Sequence, residues 1–205
     1  MQQAITLLDA QSRNPVPAQL IGGISPEIIA LWSTTWAPVF EKVRQQFKDN
    51  GIAKEKWPED AHWDWGNKLA LTKGRLAYES YCIMAGDSLE GLMLLNNTKF
   101  SRLPNQRGQE VVYIEFLATA PWNRQELCNP RRFAGVGTIL AEIAIQLSLD
   151  YEFGGRIGLH ALPRAADFYR NVLHMTELGP DPDPQHQNLI YFEMTSQQAS
   201  RFLSL

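Results

Sequence analysis

Apolar residues in this chain fall mostly into short runs of strand length, broken by Gly, Pro and Asn, with helical spacing in only a few segments. Ile5 to Leu8 reads as a first strand, and residues 14–23, holding two prolines and two glycines, as a loop. Ser25-Pro26-Glu27 supplies an N-cap, a proline suited to the first helical position and a first-turn acid. A helix is therefore predicted to about Phe47, with Pro38 as its weak point and Asn50-Gly51 as its end. Residues 55–74 fit a second helix stopping at Gly74. Residues 75–85 and 89–95 read as strands joined by a Gly86-Asp87 hairpin turn, and 101–109 as polar loop. Residues 111–119 form an apolar strand, followed after a glycine-containing loop by a helix to about Leu149. Strands at 156–162, 174–178 and 189–194, with a short helix at 165–169, complete a mixed α/β order. With no internal repeat or low-complexity tract, a single domain is expected over residues 1–205.

The glycine loop is the most informative feature. A strand, then Gly135-Val136-Gly137, then a helix is a way to build an anion site. Glycine lets backbone approach a ligand, and a helix start offers unpaired N–H groups with the positive end of its dipole behind them. The dinucleotide fingerprint does not fit, because Leu140 stands where its third glycine belongs. The P-loop does not fit either, for want of a Gly-Lys-Ser/Thr triplet. By itself the glycine pair reads equally well as a plain turn.

Arg132-Phe133-Ala134-Gly135-Val136-Gly137 does match an Arg/Gln-x-x-Gly-x-Gly/Ala pyrophosphate loop, and Ala165-Ala166-Asp167-Phe168-Tyr169 matches an Ala-x-x-x-Tyr helix. In this order the chain resembles the GNAT superfamily of acyl-CoA-dependent N-acyltransferases over roughly residues 78–194. Two departures stand out: the 121–132 link is long, and Leu162 replaces an asparagine often found seven residues before the tyrosine. The resemblance implies a central twisted, mostly antiparallel sheet of about six or seven strands flanked by helices, splayed at the acyl-CoA site. Residues 1–75 would supply the first strand and acceptor-side helices, and 76–195 the acyl-CoA-binding core.

The same resemblance implies an N-acetyltransferase that uses acetyl-CoA as co-substrate and needs no metal. Arg132, Phe133, Ala134, Gly135, Val136, Gly137 and Thr138 would hold the pyrophosphate. The main chain of Leu117 and Thr119 would pair with the pantetheine arm by strand addition; the alternative is an ordinary core strand. An amine of pKa near ~10.4 is neutral only about one part in a thousand at neutral pH, a handicap of roughly 4 kcal/mol. Glu115, the one acid inside the apolar strand, is the candidate general base. Buried there it needs a partner or a wet cleft; otherwise it simply faces solvent. Tyr169 takes the position of the general acid that protonates the coenzyme A thiolate, against the plainer reading of a core aromatic. His160 is held in reserve as a base.

Composition narrows the partners. A formal charge of −3 with mixed signs gives no basic footprint, so no nucleic-acid partner is expected. No apolar run approaches the ~18 residues of a membrane span, and the first ten residues lack a signal pattern. Cys82 and Cys128 make neither a disulfide framework nor a zinc site. A cytoplasmic protein is expected, with a homodimer through an edge strand left open. The acceptor would be a small-molecule or peptide amine. Trp32, Trp36, Trp57 and His62-Trp63-Asp64-Trp65 suit a cationic amine, or simply fill a core. Trp122 and Asn123 head the long loop, which is either an acceptor roof or unstructured. A non-catalytic acyl-CoA sensor, or a scaffold binding no coenzyme, uses the same fold.

Overall fold

The computed structural model describes residues 2–204. The chain forms two compact units, one from the chain up to Arg75 with Glu79–Met93 and Leu117–Gly137. The other comprises Leu76–Tyr78, Leu94–Phe116 and the chain from Thr138 onward.

The first unit opens with β1 (Gln2–Asp9) and β2 (Pro15–Gly22), an antiparallel hairpin in register from Gln2↔Ile21 to Leu8↔Pro15. Residues 15–22 are thus strand, where a loop was expected from their prolines. The reason lies in the register. Pro15 and Pro17 precede Gln19↔Met84, where β2 begins pairing with β3 (Tyr78–Ala85), so their missing N–H groups interrupt no second ladder. Alternation then does the rest, with Ala18 and Leu20 buried and Pro17 and Gln19 exposed.

The first helix, α1 (Pro26–Asp49), is capped by Ser25, whose Oγ accepts from the Ile28 amide. It continues through Pro38 without a break. An interior proline costs about 3 kcal/mol. Trp36 and Phe40 flank it, both buried, and each such side chain contributes about 2–3 kcal/mol on burial. Trp36 is further pinned by its Nε1, which donates to the Leu89 carbonyl at 2.9 Å. The expected 55–74 helix shrinks to α2 (Trp65–Thr72), started by Asp64, whose carboxylate accepts the Asn67 amide at 2.9 Å.

Strands β4 (Ser88–Phe100) and β5 (Glu110–Thr119) run through both units. After β5 the chain makes a short turn at Pro121–Asn123, reaches the two-residue strand β6 (Phe133–Ala134), and enters α3 (Val136–Asp150). The β6 strand pairs antiparallel with β1 through Leu8↔Ala134 and Asp9↔Phe133.

In the second unit α3 buries Leu140, Ala141, Ala144, Ile145 and Ser148, a stripe at helical spacing. β7 (Ile157–Ala161) lies parallel to β5 over Val112↔Ile157 to Ile114↔Leu159, and antiparallel to β9 (Ile190–Met194) along its whole length. β8 (Thr176–Pro180) pairs with β9. A Cβ on Gly158 would sit 2.6 Å from the Tyr191 hydroxyl, so only glycine lets the aromatic lie across β7. The short helix expected at 165–169 is present within a continuous helical segment that is 3-10 at Pro163–Ala165 and π at Phe168–Val172. A last helix, α4 (Ser196–Leu203), starts with a Thr195–Gln198 capping box.

The strands join one mostly antiparallel sheet in the order β6-β1-β2-β3-β4-β5-β7-β9-β8. Among the described residues the sheet has nine strands rather than six or seven, because β2 and β6 arise in segments whose Pro and Gly content reads as loop. Among the described residues, no helix is long and apolar enough to cross a membrane.

Candidate functional site

The glycine loop is held by a buried carboxylate that sequence reasoning passed over. Glu90, on β4 in the run Leu89–Met93, is 0% exposed. Its Oε2 accepts from Trp122 Nε1 and from Asn123 Nδ2, both at 2.7 Å. Its Oε1 accepts from Arg132 Nη1 at 2.8 Å, and the same nitrogen donates to Ser88 Oγ at 2.9 Å. A buried charge demands such partners. The only signal in the sequence was an acid inside an apolar run, the cue that singled out Glu115.

These bonds order the 121–132 link, which is not unstructured. The Asn123 side-chain carbonyl accepts the Phe133 amide at 3.0 Å, the Arg132 amide donates to the Trp122 carbonyl at 2.8 Å, and the Ala10 amide to the Arg132 carbonyl at 2.9 Å. The Trp122 ring meets Trp36 edge-on with centroids 6.3 Å apart. Arg124 donates through Nε and Nη2 to the Thr119 carbonyl, at 3.0 and 2.9 Å, and grips Asp60 with both Nη atoms at 2.7 and 2.5 Å.

The seven expected phosphate-loop residues therefore play different parts. The Arg132 guanidinium faces Glu90, the Phe133 amide is taken by Asn123, and Ala134 belongs to β6. Gly135 turns the chain with φ of +79°, a conformation costly for any residue with a Cβ, and no atom comes within 4 Å of where one would be. Buried Val136 pins the start of α3. Gly137 and Thr138 fall in the first turn, where amides have no partner within their helix. Main-chain groups from Gly135 to Thr138 are among the N–H donors of this turn.

In the second unit Glu115 is half-buried and its Oε1 accepts from Asn96 Nδ2 at 3.0 Å. Asn96 is itself fixed by Thr98, whose amide and hydroxyl donate to Oδ1 at 3.0 and 2.8 Å. The partner that burial requires is therefore present. Glu115 is also the first β5 residue past the parallel register with β7. Tyr169 is 7% exposed, against Phe168 and Phe192 at centroid distances of 5.2 and 5.9 Å. Burial holds its phenol above the usual range.

His160 sits in a separate polar cluster. Its Nδ1 lies 2.5 Å from the Tyr113 hydroxyl and its Nε2 2.6 Å from Asp181 Oδ2. Burial lowers its pKa, with His186 and Arg102 acting the same way against the pull of Asp181. Asp181 stays ionised well below the carboxylate range: burial opposes this, but the Asp183 amide, Arg102 and His160 outweigh it. A neutral imidazole donating to Asp181 from Nε2 and accepting from Tyr113 at Nδ1 satisfies every group. Ligand atoms of His160, Asp181 and His186 lie within 4.8 Å of one another, a donor set of metal-binding type. Arg102 already neutralises Asp181 at 2.5 Å, so the carboxylate works as an ion-pair hub. Close by, fully buried Glu193 accepts from the Ser101 hydroxyl, the Arg102 amide, Gln106 and Tyr191, tying down the 101–109 loop.

The tryptophans divide. Trp36 and Trp65 are core, 0% and 1% exposed, and Trp57 donates to the Ile52 carbonyl. Trp32 and Trp63 instead line an open cavity of about 360 Å³, with Phe40, Ala61 and Glu41.

No protein-family profile matches the sequence, and no curated protein matches it. Solved structures do match its fold. An N-acyl amino acid synthase from uncultured soil microbes, FeeM, is 11% identical with a TM-score of 0.51, covering 89% of this chain and 94% of its own. Mycobacterium smegmatis RimJ, solved with CoA-disulfide, is 14% identical with a TM-score of 0.50, over 100% and 94%. A histone acetyltransferase HPA2-related acetyltransferase from Corynebacterium glutamicum is 17% identical with a TM-score of 0.50, over 85% and 93%. The chain has the GNAT acetyltransferase fold.

Proposed function

We propose that this protein is an acetyl-CoA-dependent N-acetyltransferase acting on a primary amine. The observation that carries the reading is the strand-to-helix turn at Gly135, with its left-handed backbone and the first-turn amides of α3, inside a fold that acetyltransferases share. Main-chain groups from Gly135 to Thr138 bind the pyrophosphate, and Leu117 and Thr119 line the pantetheine arm. That Glu115 lies just past the β5–β7 register supports strand addition, since a parted strand leaves main-chain groups for the amide-rich arm.

Chemistry then needs no covalent intermediate. The amine nitrogen attacks the thioester carbonyl carbon while Glu115 takes its proton, directly or through a water. The carbon–sulfur bond breaks, and the Tyr169 hydroxyl passes its proton to the leaving thiolate. The phenol is protonated at neutral pH, and the burial that raises its pKa makes it a weaker acid than a solvent-exposed tyrosine. Cys82 is a poor nucleophile in comparison, since burial lifts its thiol to about 11. The N-acyl amino acid synthase among the matched structures supports a small-molecule amine as acceptor. A reducing cytoplasm is the setting proposed for this activity.

One observation favours the second reading, a non-catalytic acyl-CoA sensor: Tyr169 is almost wholly buried. Calorimetric titration with acetyl-CoA tests both readings. Micromolar binding that depends on the phosphates supports either, and no binding at millimolar ligand overturns both. The enzyme alone also releases free thiol when an amine is supplied, and Glu115→Gln or Tyr169→Phe then removes turnover while sparing affinity.

A further inference from the structure

An acid fully buried beside an anion site is an oddity that calls for a reason. Glu90 places a carboxylate next to the loop expected to hold a pyrophosphate, and an acid there would by itself weaken that site. The hydrogen bonds explain its presence. Glu90 joins strand β4 to the turn after β5 through the Ala120 amide, which donates to its carbonyl at 2.9 Å. Its side chain then takes Trp122, Asn123 and Arg132 in one grip. Asn123 passes the constraint to the Phe133 amide, two residues before the Gly135 turn. Arg132 closes the ring, since its own amide returns to the Trp122 carbonyl.

We propose that Glu90 is the positioning residue of the acyl-CoA loop, and that Arg132 is its counter-ion rather than a phosphate ligand. This rests on the acyl-CoA reading. The Arg132 Nη1 bonds both Glu90 and Ser88, so the Glu90–Arg132 pair itself adds little net charge beside the loop. The phosphates are then held by main-chain amides and the dipole of α3. The pair Glu90–Arg132 sets where those amides point and never touches the reacting atoms.

The test is a double-mutant cycle read by calorimetry with coenzyme A. Glu90→Gln should weaken binding about tenfold, and KM for acetyl-CoA should rise in step while kcat holds within about twofold. Arg132→Gln should weaken binding similarly, and the double variant no further than either single one, because both act through one contact. Additive losses would place Arg132 directly on the phosphates and overturn the counter-ion role. Unchanged affinity in Glu90→Gln would overturn the positioning role. Should Glu90→Gln fail to fold, Trp122→Phe removes one donor to the carboxylate but keeps a ring, and must weaken coenzyme A severalfold. Wild-type affinity in that variant refutes the proposal equally. Amide hydrogen exchange over residues 122–134 separates this inference from the acyl-CoA reading. Failure of wild type to bind coenzyme A sinks the reading, whereas unchanged protection in Glu90→Gln sinks the network.

Discussion

Single side chains here are governed by burial and by who shares it. Tyr169 and Glu115 have opposite problems, a phenol kept protonated by its surroundings and a carboxylate kept useful by Asn96. Tyr169→Phe should lower kcat roughly 10²-fold with acetyl-CoA affinity unchanged, measured by steady-state kinetics beside calorimetry. A matching loss of affinity would make Tyr169 a packing residue. His160 gives a pH signature. Its folded pKa lies below the unfolded value, so the unfolded chain binds more protons as pH falls below about 6.5, and stability drops there. Asp181, also depressed, adds a second loss only in stronger acid. Thermal unfolding at neutral pH and near pH ~5 should differ more in wild type than in His160→Gln, which keeps a donor for Asp181 but cannot titrate. Cys82 should stay unlabelled by a thiol reagent until the protein unfolds, while half-buried Cys128 reacts in the native state.

Elements behave as their ends and faces dictate, and the departures from expectation have the same source. Ser25-Pro26-Glu27 and Asn50-Gly51 bracketed α1 because capping is a local interaction, legible within a few residues. Pro38 was harder to read, since its local cost is offset by the burial of Trp36 and Phe40 against distant chain. Proline in β2 misled for a related reason: its missing N–H matters only where a second strand pairs, and that register is not local. The Phe168–Val172 turn keeps its tyrosine buried although its helix is π rather than α. The C-terminal α4 depends on its first turn. Thr195→Ala should cost about 1 kcal/mol in chemical denaturation, through the lost capping box. Gln198, its partner, also donates to the His174 carbonyl at 2.8 Å, so Gln198→Ala should cost more than the cap alone.

For the whole molecule, binding and stability are linked. Acetyl-CoA at a hundred times its dissociation constant should stabilise wild type by about 2.7 kcal/mol, seen as a rise in Tm. Gly135→Val should abolish that rise, because a β-branched residue does not hold a φ of +79°. Much of this was legible beforehand. Apart from β2, β6 and the extent of α2, the order of strands and helices, the glycine turn and the mixed α/β class follow from hydrophobic period and from residues whose backbone preferences are intrinsic. Those are short-range effects, and a chain writes them directly into its sequence. Partnership is different. That Glu90 meets Arg132, that Asn96 supports Glu115, and that His160 is closed off by Tyr113 and Asp181 all join residues far apart in the chain. A buried charge must find a partner, but which one is settled only when the sheet brings its strands into register.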